Sequence, residues 1–140
     1  MTMGLTRAGR PRTLAGLYAA ALIFVTVLGW IPALADANGR LFGIFRLTWY
    51  NDALHLASAA WALAAALRSR ASALVFLIVF GALYLADGLM GLAIGTGFLD
   101  LSVVFYGVRD LPFDFKLLAN LPHIVMGAVA LAAGLAWRRA

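Results

Sequence analysis

The sequence predicts an all-α fold: a four-transmembrane-helix bundle built from two tandem two-helix repeats, with apolar outer loops lying in the membrane interface. Three observations carry that expectation. Apolar residues fall in blocks of about 20, the length that crosses a bilayer core. Basic residues gather at the ends of alternate blocks, as membrane topology requires. The only two histidines, 68 residues apart, sit in matching surroundings.

The chain has 140 residues, of which 64% are hydrophobic and only 12% charged. A water-soluble domain of this size carries about twice that charged fraction. The apolar blocks lie near residues 14–33, 53–67, 72–96 and 118–137, which leaves one integral membrane domain over 1–140 and no room for a separate soluble one. The first block, with its basic start and Ala33-Leu34-Ala35 before Asp36, has the look of a secretory signal. Its apolar run from Leu14 is long for a signal core, so it is expected to stay as a first helix. With no cysteine there is no disulfide framework and no thiolate metal site.

The net charge of +5 would suit a nucleic-acid partner, but its distribution excludes one. Arg7, Arg10 and Arg12 precede the first span, Arg68 and Arg70 separate the second and third, and Arg138 and Arg139 follow the fourth. These clusters hold no acid and belong on one side. Arg40, Arg46, Arg109 and Lys116 belong on the other, with Asp36, Asp52, Asp100, Asp110 and Asp114. By the positive-inside rule both termini are cytoplasmic, and the inner clusters meet anionic lipid head groups.

Repetition comes next. Placing His55 on His123 also pairs Phe45 with Phe113 and Asp52 with Asn120, giving repeat 1 over about 14–67 and repeat 2 over about 72–137. Two spans per copy imply a pseudo-two-fold axis along the membrane normal, with both histidines at one depth on the outer side. Spans two to four are rich in Ala and Gly (Ala59, Ala62, Gly88, Gly127, Gly134), which in lipid mark faces where helices approach closely. The two outer segments, 36–50 and 97–116, are apolar and aromatic. Lipid contact is the simpler expectation for them; a pair of lids over a shared pocket is the sharper one.

The polar residues inside the blocks form a small constellation: Asp52, His55, Asp87, Asn120 and His123. Asp52 and Asn120 are expected as N-caps of spans two and four, with Pro122 in a first turn and the histidines three residues beyond the caps. Asp87 lies within span three at nearly the same depth. An intramembrane carboxylate is expensive and is expected to face inward, bonded to a histidine or to an outer arginine. Such a set serves first as a structural polar knot. A second reading makes His55 and His123 ligands of a metal ion or of one bis-histidine haem; a third runs a proton or small solute past Asp87.

Gly29-Trp30-Ile31-Pro32 ending span one, Leu41-Phe42-Gly43-Ile44-Phe45 in the loop, Asp52-Ala53-Leu54-His55 opening span two and Asn120-Leu121-Pro122-His123 in the second copy resemble a family of small bacterial four-helix membrane proteins, a domain of unknown function with a duplicated Asn/Asp-x-x-His motif. Asp52 stands where that pattern has Asn. The resemblance implies the fold, the duplication and a place in the bacterial inner membrane; it implies no activity.

The chain carries no serine-hydrolase triad signature, no His-Glu-x-x-His and no phosphate loop, so a non-enzymatic role is expected. That role is an accessory subunit, or a scaffold or lipid-binding module, of a larger membrane complex. Its expected partners are the lipid bilayer and other membrane subunits or further copies of itself.

Overall fold

The computed structural model of the chain describes residues 9–139, and Arg7 of the first basic cluster lies outside them. The described chain is all-α. Four long helices, α1 (Arg10–Gly29), α2 (Trp49–Arg68), α3 (Arg70–Ile94) and α5 (Phe113–Arg138), are connected through a 3-10 turn at Pro32–Leu34 and a short helix, α4 (Ser102–Tyr106). Extended backbone pairing among the described residues is limited to isolated bridges, Ala35 with Leu41 and Leu41 with Phe45.

Three of these helices, α1, α3 and α5, are long and apolar enough to cross a membrane, where four were expected. The exception is α2. At 20 residues it has the length, but Asn51, Asp52, His55 and Ser58 occupy its outer half and most of the remainder is alanine, a weak hydrophobe. Both α2 and α5 also begin earlier than the apolar blocks suggested. Hydropathy follows lipid contact, whereas a helix begins where its first amides find acceptors. For α2 that place is Thr48, which forms a reciprocal capping box with Asn51.

The organising element is α3. Phe76, Leu77 and Phe80 are almost fully buried. Their aromatic members continue as a stack, with ring centroids 4.9 Å apart for Phe76–Phe80 and 3.9 Å for Phe80–Tyr84. On its other side α3 packs tightly along α5. At their crossing, a Cβ on Gly81 would strike the backbone of Leu131 and Gly127, and one on Gly127 would strike the backbone of Leu85 and Gly81. Only glycine permits that approach, and lipid-embedded helices gain their attraction from such backbone proximity. The second extensive contact joins α1 to α2 through buried Ala15, Ala19, Ala59 and Ala62.

The arginine-rich ends of the helices, expected on the inner side, are tied by arginines. Arg12 donates from Nε to the Ala66 carbonyl at 2.7 Å, and Arg70 from Nη2 to the Trp137 carbonyl at 2.6 Å. Each satisfies carbonyls that the last turn of a helix leaves open. α1 and α5 touch only slightly, α2 and α5 make no close backbone approach, and the two connecting segments fold over the space between them.

The described elements do not display a strict repeat. α4 has no counterpart in the first outer segment, and His55 lies about two turns into α2 whereas His123 lies about three turns into α5.

Candidate functional site

The carboxylate of Asp87 is the centre of the outer end. It sits in the last third of α3 and is 3% exposed. His123 on α5 donates its Nδ1–H to Oδ2 at 2.6 Å. The other oxygen accepts the backbone amides of Phe98 and Leu99 at 2.7 and 2.8 Å. Gly97 makes this possible, since a Cβ there would fall on the carboxylate itself. Three N–H donors surround the group, which is what a carboxylate withdrawn from water requires. Asp87 thus faces inward onto a histidine, as expected, but no arginine bonds it; the chain leaving α3 supplies its other partners.

His55 and His123 are brought side by side, with ring centroids 6.3 Å apart and planes at 79°. They differ in every other respect. His123 is oriented by Asp87 and lies against the Tyr84 ring, centroids 4.8 Å apart. His55 is buried, makes no hydrogen bond among the described residues, and its Nδ1 lacks a partner altogether. With Nδ1–H given to Asp87, the Nε2 of His123 also remains unbonded. Tyr84 completes the group through a 3.0 Å hydrogen bond between its hydroxyl and that of Ser58.

Asp52 and Asn120 do not cap their helices. α2 is capped by Thr48, so Asp52 falls in the first turn, where its Oδ2 accepts the indole N–H of Trp30 at 2.8 Å. α5 begins at Phe113, which puts Asn120 and Pro122 inside the helix. There the Asn120 amide donates to the Lys116 carbonyl one turn back, at 2.8 Å, and lies over Gly91 of α3. An interior proline is tolerated in a lipid-embedded helix because side chains and neighbours take up the freed backbone groups. The expectation failed because an Asx three residues before a histidine is a weak cap signal when the helix can continue upstream.

The outer segments are held to one another by side chains that the histidine pattern did not single out. Asn51 donates to Asp100 at 2.6 Å and the Tyr50 and Tyr106 hydroxyls share a 2.7 Å hydrogen bond, while within the second segment Thr96 donates to the Gly107 carbonyl at 2.6 Å. The Tyr106 phenol is pushed above its ordinary range by the Tyr50 hydrogen bond first, against the lowering influence of Arg46 and Arg109 nearby. Thr48-x-x-Asn51 was the one legible signal here, as a capping box.

Together these elements line a half-open cavity of about 500 Å³. Leu22, Val25 and Leu28 of α1 and Met126 of α5 form its apolar side. His55, Asp87, Asn120 and His123 add polar groups to its lining, and residues of both outer segments complete it. Both segments therefore share one pocket, while Trp49, Val104 and Phe105 remain exposed. Among the described residues no group of three or more His, Cys, Asp and Glu is arranged to hold a metal ion.

A family model, the domain of unknown function DUF4383, matches residues 12–104. The chain belongs to that family. The DUF4383 match runs from α1 into α4 and covers His55 and Asp87, whereas Asn120 and His123 on α5 lie beyond it. It crosses the expected boundary between the two repeats as a single stretch. No match was found among the curated proteins or the solved structures.

Proposed function

We propose that the chain is a small, non-catalytic membrane protein of four spans that holds an amphipathic ligand at its outer end: a lipid-binding module, acting as an accessory or scaffold subunit of a larger membrane complex. The observation that carries this reading is the cavity of about 500 Å³ reached by both α1 and α5, lined by apolar side chains together with a few polar ones. Ligand pockets have this make-up, with predominantly apolar walls and a few placed polar groups. A buried His55 with no partner adds to it, because a buried polar ring ordinarily finds one.

In this reading α2 is the fourth span. Its 20 residues rise about 30 Å, the thickness of a bilayer core. It is tied to α1 at both ends, through Arg12 and through Trp30 with Asp52, so the two share one depth. The duplication is supported by the two helix pairs, α1 with α2 and α3 with α5, that pack most extensively. The arginine-rich end faces the cytoplasm of a bacterial inner membrane. Asp87 serves as an anchor for the outer segment rather than a proton carrier, since both of its oxygens are committed.

Native mass spectrometry of protein released from membranes tests the reading. One small molecule should accompany each chain and be lost in Ala119→Phe, which fills the cavity from α5. Chains that fly bare in both forms would refute it.

A second reading keeps a specific support: His55 and His123 lie close enough for one bound atom to bridge them, and Asp87 orients His123 as a carboxylate orients a metal-ligating histidine. Haem would then occupy the cavity. An absorption spectrum separates the two. The lipid reading expects colourless protein; a Soret band that disappears in His55→Ala would replace it with the haem reading.

A further inference from the structure

We infer that the ligand of this cavity is a lipid with an anionic, phosphate-bearing head group, an inference that rests on the ligand-holding reading above. The chain has four cations on its outer side, Arg40, Arg46, Arg109 and Lys116, and all four line the cavity. None is paired with a carboxylate; the single ion pair among the described residues is His123 with Asp87.

The contrast with the inner end is instructive. Arg12 and Arg70 spend their guanidiniums on helix carbonyls. Arg40, Arg46 and Arg109 donate no side-chain hydrogen bond to any described residue. Arg40 lies over the Phe115 ring at 5.6 Å and Arg109 over the Tyr106 ring at 5.9 Å, contacts that position a guanidinium face and leave its N–H edge free. Lys116 is held only by a long 3.4 Å contact to the Ala93 carbonyl.

The acids are placed elsewhere. Asp36, Asp52, Asp110 and Asp114 do not line the cavity. Asp100 does, but its oxygens already accept Asn51 and the Ser102 amide, and those of Asp87 are likewise occupied. The cavity therefore gathers four cations against two carboxylates, none of the four in a direct ion pair, with donor edges suited to phosphate oxygens.

A free anion would satisfy those cations and leave the apolar side empty. Leu22, Leu28 and Met126 face the same space, and α1 and α5 are bonded to each other across it only below, where Tyr18 donates to the Met126 carbonyl at 2.6 Å. Elsewhere the two helices touch only slightly. A lipid fits both halves, its phosphate beneath the outer segments and an acyl chain leaving between α1 and α5. The imidazoles of His55 and His123, which also line the cavity, then meet the glycerol or head-group hydroxyls.

The test titrates the purified full-length protein, in a non-ionic detergent, with phosphatidylglycerol, phosphatidylcholine or inorganic phosphate, read by native mass spectrometry. Phosphatidylglycerol should bind one per chain, about tenfold more tightly than phosphatidylcholine, whose equivalent phosphate comes with a choline cation that the four basic side chains repel. Arg46→Gln with Arg109→Gln should abolish that preference, while Arg138→Gln at the inner end should not. Arg40→Gln with Lys116→Gln provides a second pair, and circular dichroism confirms that each variant is folded. Equal affinity for the two lipids, lost in Ala119→Phe, would overturn the anionic head group and leave the ligand-holding reading standing. Displacement of phosphatidylglycerol by inorganic phosphate at comparable affinity would overturn the lipid in favour of a free anion. Lipid binding untouched by Ala119→Phe would overturn both readings together.

Discussion

His123 Nδ1 lies 2.6 Å from Asp87 Oδ2, joining α5 to α3, while Asp87 Oδ1 takes the amides of Phe98 and Leu99. One carboxylate thereby fixes a helix pair, the turn that leaves α3 and the orientation of an imidazole facing the cavity. Removing such a hub costs more than its own bonds, because the groups around it are left buried without partners.

Two substitutions at Asp87 should separate hydrogen bonding from charge. Asp87→Asn keeps an acceptor for the two amides and should cost about 1–2 kcal/mol. Asp87→Leu strands those amides and the His123 ring, and should cost about 3–5 kcal/mol. Denaturant melts of detergent-solubilised protein would check this. Coincident melts for the two variants would show that Asp87 carries no such load.

The α3–α5 crossing offers a sharper contrast. Gly81→Ala puts a methyl onto the backbone of Leu131 and Gly127 and should cost about 3 kcal/mol. At Gly16 an added Cβ meets nothing within 4 Å, so Gly16→Ala should be neutral or stabilise by up to about 1 kcal/mol. Similar losses for both would mean that the close approach does not hold the pair together.

Much of this fold was legible before any coordinates. Ala59, Ala62, Gly88, Gly127 and Gly134 mark helix contacts in the sequence and make them in the structure, because small residues in an apolar helix serve backbone approach. Asp87 was legible for a related reason, since a carboxylate in an apolar block demands a partner. What the sequence did not disclose were the partners that come from the backbone: the amides of Phe98 and Leu99 have no side-chain signature. Helix starts were obscured because Thr48 and Phe113 lie outside the hydropathy blocks. The cavity was open only as one of two alternatives, since Leu41, Phe45 and Leu111 face inward while Phe105 and Val108 face outward, and nothing in their residue types distinguishes the two sets.

Topology can be read with cysteines at exposed positions, the chain having none of its own. Ala71→Cys, at the arginine-rich end, should be protected from an impermeant thiol reagent applied to the outside of intact cells. Val104→Cys, on α4 and 72% exposed, should react at once. Labelling of both from outside would refute the four-span arrangement.

The claim that a lipid occupies the space between α1 and α5 is met most directly at Met126. Its side chain lines the cavity, its carbonyl accepts Tyr18, and Met90 on α3 supplies a methionine that does not line it. In protein carrying carbon-13 methionine methyls, embedded in phosphatidylglycerol nanodiscs, saturating acyl-chain protons should attenuate the Met126 methyl signal, and Ala119→Phe should abolish that effect. A Met126 signal indifferent to acyl-chain saturation, or attenuated equally in Ala119→Phe, would contradict a lipid in the cavity.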